Sequence, residues 1–110
     1  MTTTNGQARE DLFWELAVDL LAEPCVARST MMGYPCLRSN GAFFACVERS
    51  TGYLIVKLPA SRVTELLTAG QALPFSPNGH VFREWAAFPV ADRDEWLALL
   101  DEARTFVDGV

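Results

Sequence analysis

A chain of 110 residues, half of them hydrophobic, 21% charged and with a formal net charge of −5, is expected to form one soluble globular domain with its own core. No apolar run is long enough to cross a bilayer, and the start MTTTNGQARED lacks the apolar stretch of a signal peptide, so a cytoplasmic location is the default. The acidic total also disfavours a dedicated nucleic-acid-binding domain.

Residues 1–6 are expected to be disordered. From about Gln7 to Ala22, the apolar positions Leu12, Phe13, Leu16, Ala17, Leu20 and Leu21 form one stripe of an amphipathic helix. Glu23-Pro24 ends it, because a residue before proline is pushed out of the helical region. Val26 to Met32 reads as a first strand, Gly33-Tyr34-Pro35 as a turn or kink, and Cys36 to Arg38 as a short second strand. Asn40-Gly41 favours a tight turn with positive φ. In the third strand, Ala42 to Glu48, strict alternation places Phe43, Ala45 and Val47 on one face and Phe44, Cys46 and Glu48 on the other. In the fourth, Tyr53 to Leu58, it sends Leu54, Val56 and Leu58 to the core and leaves Tyr53, Ile55 and Lys57 on a partly exposed face.

Pro59 stops that strand, and a short helix over about Ser61 to Ala69 buries Val63, Leu66 and Leu67, with Gly70 as its terminator. The loop Gln71 to His80 contains Phe75, which is expected to plug the core. Val81 to Phe88 reads as a fifth strand, with Arg83, Trp85 and Ala87 on one side. The last helix starts at Asp92, with Glu95 completing a capping-box-like pattern. It buries Trp96, Leu99, Leu100, Ala103, Phe106 and Val107, and Gly109 ends it. The order α-β-β-β-β-α-β-α describes an α+β domain: a twisted antiparallel sheet of about five strands covered by the N- and C-terminal helices.

Charge is unevenly placed. In residues 1–27, Arg9 stands against five acids, a balance of −4. Residues 28–83 hold six bases and two acids, a balance of +4, and residues 84–110 hold two bases and seven acids, a balance of −5. Either acidic helices neutralise a basic sheet, or one basic surface meets an anion.

The ordered set MMGYPCLRSNGAFFA, YLIVKLP with Arg62 three residues beyond it, PFSPNG, REW and WLALLDEARTFV resembles the TfoX N-terminal-domain family, which is related in shape to the MmcQ/YjbR-like proteins. The resemblance spans about residues 10–107. It implies a single, stand-alone TfoX N-terminal-like domain over residues 1–110 and a role in bacterial transcription or competence regulation through protein contacts. The implied partner is a component or regulator of the transcription machinery. The chain departs from the family pattern at Met31-Met32-Gly33, where Met-Phe-Gly is usual. It departs again at Gly41-Ala42, where Gly-Lys is usual, so a basic group is missing from that hairpin tip. The family supplies no catalytic residues.

The residues themselves offer five candidate positions for binding. Lys57 and Arg62 flank Pro59 and suit a phosphate or carboxylate, unless each pairs with an acid such as Glu65 or Glu84. Arg83 and Trp85, if on one strand face, suit a cation–π pair or a stacking platform, unless the tryptophan only covers the core. Tyr34 lines a pocket if Gly33-Tyr34-Pro35 opens one, and is otherwise part of a β-bulge or kink. Tyr53 is read first as a cross-strand packing residue and second as a partner contact. Cys25, Cys36 and Cys46 are read as reduced, buried thiols. With one histidine, His80, in a Pro/Asn/Gly loop, neither a zinc site nor a catalytic set is expected, and no cofactor is implied. Direct DNA binding through Arg38, Arg49, Lys57, Arg62 and Arg83 is the alternative function, and a small-ligand or enzymatic pocket near Gly33 to Pro35 is the third.

Overall fold

The computed structural model describes residues 5–31 and 33–109. The expectations for residues 1–4 and for Met32 lie outside them. Helix α1 runs over Asn5–Leu21, so residues 5 and 6 are helical. Four strands follow, β1 (Val26–Met31), β2 (Tyr34–Ser39), β3 (Ala42–Val47) and β4 (Leu54–Lys57). Then come α2 (Ala60–Thr68), β5 (Leu73–Pro74), a single 3-10 turn at Pro77–Gly79, β6 (Trp85–Phe88) and α3 (Arg93–Val107). The sheet is antiparallel throughout with order β1-β2-β3-β4-β6-β5. It is the α+β fold read from the sequence, with six strands among the described residues where about five were expected, because the two-residue β5 pairs with β6.

The β2–β3 hairpin turns on Asn40 at φ 50 and Gly41 at φ 85. Two successive left-handed residues match the twist of the flanking strands. A Cβ on Gly41 would meet nothing within 4 Å, so the cost of adding one is conformational alone. Gly41→Ala should cost about 1 kcal/mol, read as an earlier midpoint in urea unfolding with unchanged slope. A midpoint equal to wild type would refute the left-handed assignment.

Four sequence expectations are corrected. Tyr34 and Pro35 belong to β2, paired with Met31 and Thr30, so of the three expected turn residues Gly33, at φ 80, is the one left outside the strand. Pro35 is tolerated inside a strand because it lies beyond the last β2–β3 pair, Cys36↔Cys46, so its missing N–H removes no rung there. In β3 the register shifts: Leu37 faces Ala45, but Arg38 faces Phe43. Phe44 is thus an extra residue, a bulge that turns it and Ala45 to the same side. Phe44 joins the helix-side core, and Phe43 moves to the Cys46 face. Third, Val81 to Glu84 are not a strand, so Arg83 shares no strand face with Trp85. Fourth, Ile55 is not partly exposed but fully buried.

Both faces of the sheet are covered, by different means. Phe13, Leu16 and Ala17 of α1, Val63 and Leu66 of α2, and Trp96, Leu99, Leu100 and Ala103 of α3 pack onto one face. On the other, one row of paired residues crosses the sheet, Cys36↔Cys46↔Ile55↔Ala87. Phe75 closes over it from the loop, with Tyr34, Phe43, Tyr53 and Trp85 around the rim. The α3 cap is as expected: Asp92 accepts a hydrogen bond from the Glu95 backbone N–H at 2.9 Å. Asp94 and Glu95 in the first turn and Arg104 in the last complement the helix dipole.

Candidate functional site

The basic residues of the middle segment do not converge. Lys57 lies on the Phe75 side, 3.9 Å from Glu84 and 6.0 Å from the Trp85 ring centre. Arg62 lies on the helix side and donates to Glu102 at 2.8 Å, with Glu65 at 3.5 Å. The hydrogen bond to Glu102 holds its pKa above the ordinary value, although burial opposes it. The pair expected to grip one anion is thus split across the sheet. Arg38 folds back on its own hairpin, donating to the Gly41 carbonyl at 3.3 Å with Phe43 beneath it at 5.1 Å. Arg49 meets Glu10 of α1 at 3.7 Å, and Arg28 stacks on Trp14 at 4.2 Å. Arg49–Glu10 and Arg62–Glu102 follow the expected neutralisation of basic residues by acidic helices.

Arg83 is exposed. It and Trp85 line a crevice of about 270 Å³ with Val63 and Leu67 of α2 and with Phe82, so they are neighbours without sharing a strand. Tyr34 sits at the rim of the second core. Partial burial raises its pKa, and the Glu48 carboxylate, which its phenol also hydrogen-bonds, raises it further. Tyr53 packs in the same rim.

At the C-terminal ends of α1 and α3 a polar junction ties three segments together. Arg104 donates to the Cys25 sulfur at 3.1 Å and to Asp108 at 3.1 Å, and pairs with Glu23 at 3.2 Å. Asp108 accepts from the Ser39 hydroxyl at 2.7 Å and from the Asn40 amide at 3.4 Å. Ser39, the one fully buried polar residue described, is thereby satisfied. The Ser39 hydrogen bond, aided by Arg104 and Asn40 against some desolvation, holds the Asp108 carboxyl below its ordinary 3.8. A carboxylate with a depressed folded pKa stabilises the fold above its unfolded pKa, and that contribution is lost as pH falls through the folded pKa. Asp108→Asn should therefore lower stability at pH 7 by on the order of 1 kcal/mol, and the gap to wild type should close as the pH drops below about 4. A gap that is constant with pH would show that charge plays no part.

Helices α1 and α3 lie side by side and run parallel. Arg9 donates to the Pro89 carbonyl before α3 begins, Arg93 pairs with Glu15, and Arg104 pairs with Glu23 at 3.2 Å. Between the last two ion pairs the helices part, leaving an open groove of about 580 Å³. Its floor is Leu16 and Leu20 from α1 and Leu97 and Ala98 from α3. Its rim is Asp19, Glu23, Asp94 and Asp101. Leu97 is 47% exposed, and Asp19, Asp94 and Asp101 form no ion pair among the described residues.

The sequence places Leu16 and Leu20 in the α1 stripe and Glu23 at its end, and marks none of the groove residues as a site. One signal was present: Leu97 is a large apolar residue outside the buried stripe of its helix, flanked at three before and four after by aspartates. Comparison of the chain with protein-family models, with curated proteins and with solved structures finds no match.

Proposed function

We propose that this chain is a small interaction module of bacterial transcription or competence regulation, working in the cytoplasm through protein contacts and without chemistry of its own. The groove between α1 and α3 supports this reading most strongly: an apolar floor between charged walls is a surface suited to a protein segment. The resemblance to TfoX N-terminal domains supplies the biological setting.

Direct DNA binding ranks second. Arg38 over Phe43 and Lys57 beside Trp85 form two cation–aromatic stations on the Phe75 side, a pattern that single-stranded nucleic acid also uses. Yet most bases of the middle segment are already engaged inside the chain, and phosphate binding needs free ones.

Two measurements separate the readings. Fluorescence anisotropy of labelled duplex and single-stranded DNA should stay flat even at about 50 mM salt, where counterion release favours binding most. A photo-crosslinking amino acid at position 97, activated in cells, should capture a recurrent partner identified by mass spectrometry, and Asp101→Lys should abolish that capture. Tight, steeply salt-dependent DNA binding would replace the protein reading with the second one.

A further inference from the structure

We propose that the groove between α1 and α3 receives a basic amphipathic helix, its apolar face on Leu16, Leu20 and Leu97 and its lysines or arginines against Asp19, Asp94 and Asp101. This deepens the protein-contact reading and rests on it.

The lining has helical spacing. Leu16 and Leu20 stand four apart on α1, and Asp94, Leu97, Ala98 and Asp101 follow i, i+3, i+4, i+7 on α3. Such ridges interdigitate with a third helix presenting apolar residues at the same spacing. The Arg93–Glu15 and Arg104–Glu23 pairs close the two ends. The stretch between them is roughly 12–16 Å long, or about two to three helical turns, which sets the length of the occupant.

Charge selects its sign. Four acids line the groove against one base, Arg104, and that base is already held by Glu23 and Asp108. Asp19 on one wall and Asp94 and Asp101 on the other repel each other across an unfilled groove, and cations on an occupant relieve that repulsion. The same field turns away nucleic acid, an anionic membrane and a second copy of this chain, whose net charge is −5. A polyamine would satisfy the rim and leave the leucines wet.

The test uses a fluorescein-labelled peptide of about 14 residues made of Leu, Lys and Ala, with Leu at i, i+3, i+4 and i+7, so that its central two to three turns fill the groove and one frayed half-turn or more extends at each end. It is titrated with the whole chain and followed by anisotropy. The patterned peptide should bind and gain helical circular dichroism. A scramble of identical composition, and the same pattern with Glu for Lys, should each bind at least tenfold more weakly. Leu97→Asp and the pair Asp19→Lys/Asp101→Lys, all at solvent-facing positions, should each weaken binding at least tenfold while keeping the wild-type dichroism spectrum. Excess spermine should fail to displace the peptide. Equal binding of the scramble, displacement by spermine, or full binding by the groove variants would overturn the proposal. Should the patterned peptide fail to bind while crosslinking at position 97 still depends on Asp101, the helical occupant is wrong and the protein-contact reading stands. Should that crosslinking fail as well, both fall.

Discussion

Replacing Trp96 with alanine should cost about 3–5 kcal/mol of folding stability, the larger of two expected core effects, measured by urea unfolding followed by far-ultraviolet dichroism. Trp96 is fully buried on the helix side of the sheet. Its indole N–H donates to the Val90 carbonyl at 2.9 Å, and its backbone N–H bonds the Asp92 carbonyl at 2.9 Å. One residue therefore fills the core and ties down the 89–92 turn that aims α3. Against a typical domain stability of about 5–15 kcal/mol, its loss threatens the fold outright. Trp96→Phe keeps most of the apolar contact and gives up the hydrogen bond, so it should cost only about 1–2 kcal/mol. A cost below about 1.5 kcal/mol for the alanine variant would mean that the core closes without the indole.

Phe75→Ala should cost about 3–4 kcal/mol and do so in a spatially restricted way. Phe75, 5% exposed, is the lid over Cys36, Cys46, Ile55 and Ala87, and it is held by ring contacts to Phe82 at 5.8 Å and Trp85 at 6.4 Å. Burial, together with the neighbouring Cys36 and Glu48, pushes the Cys46 thiol far above its ordinary range. Burial likewise raises that of Cys36. Both thiols should therefore resist alkylation in the native protein while half-buried Cys25 reacts first. In Phe75→Ala they should label at pH 8 under native conditions, because the lid segment opens without global unfolding. Unchanged protection of Cys36 and Cys46 in the variant would show that the second core closes without Phe75.

These two residues also mark how far the fold was legible. Trp96 lay in a regular helical stripe behind a capping residue, and both signals are local, so helix, cap and burial were all readable. The Asn40-Gly41 turn was readable for the same reason: its backbone requirement is met by two adjacent residues. Phe43, Phe44 and Ile55 were not. A bulge is set by the register between two strands, which no single strand announces, and it reversed the facing of Phe43 and Phe44. The exposure of Ile55 was decided by Phe75, twenty positions further along, so a period of two could place it on a face but not say what covers that face. The site was less legible still. Lys57 and Arg62 flank one proline in the chain, but the sheet separates them. The acids on the two sides of the groove are 71 or more residues apart, Asp19 and Glu23 against Asp94 and Asp101, and only parallel packing of the two helices makes them neighbours.

That pairing of the first helix with the last has a kinetic meaning. Strands β1 to β4 are joined by short turns to their neighbours in the sheet, so their contacts span little chain and form cheaply. The α1–α3 contact closes a loop of most of the chain and pays that entropy late. The hairpin meander is then the folding nucleus, and the helix pair locks it afterwards. Stopped-flow measurements should find that Gly41→Ala chiefly slows folding, whereas removing the Arg93–Glu15 pair chiefly speeds unfolding; the opposite partition would place the nucleus in the helices. A protein so arranged sets its lifetime at the seam between its two ends, the surface on which the groove lies, so an occupant bridging both helices would also act as a brake on unfolding.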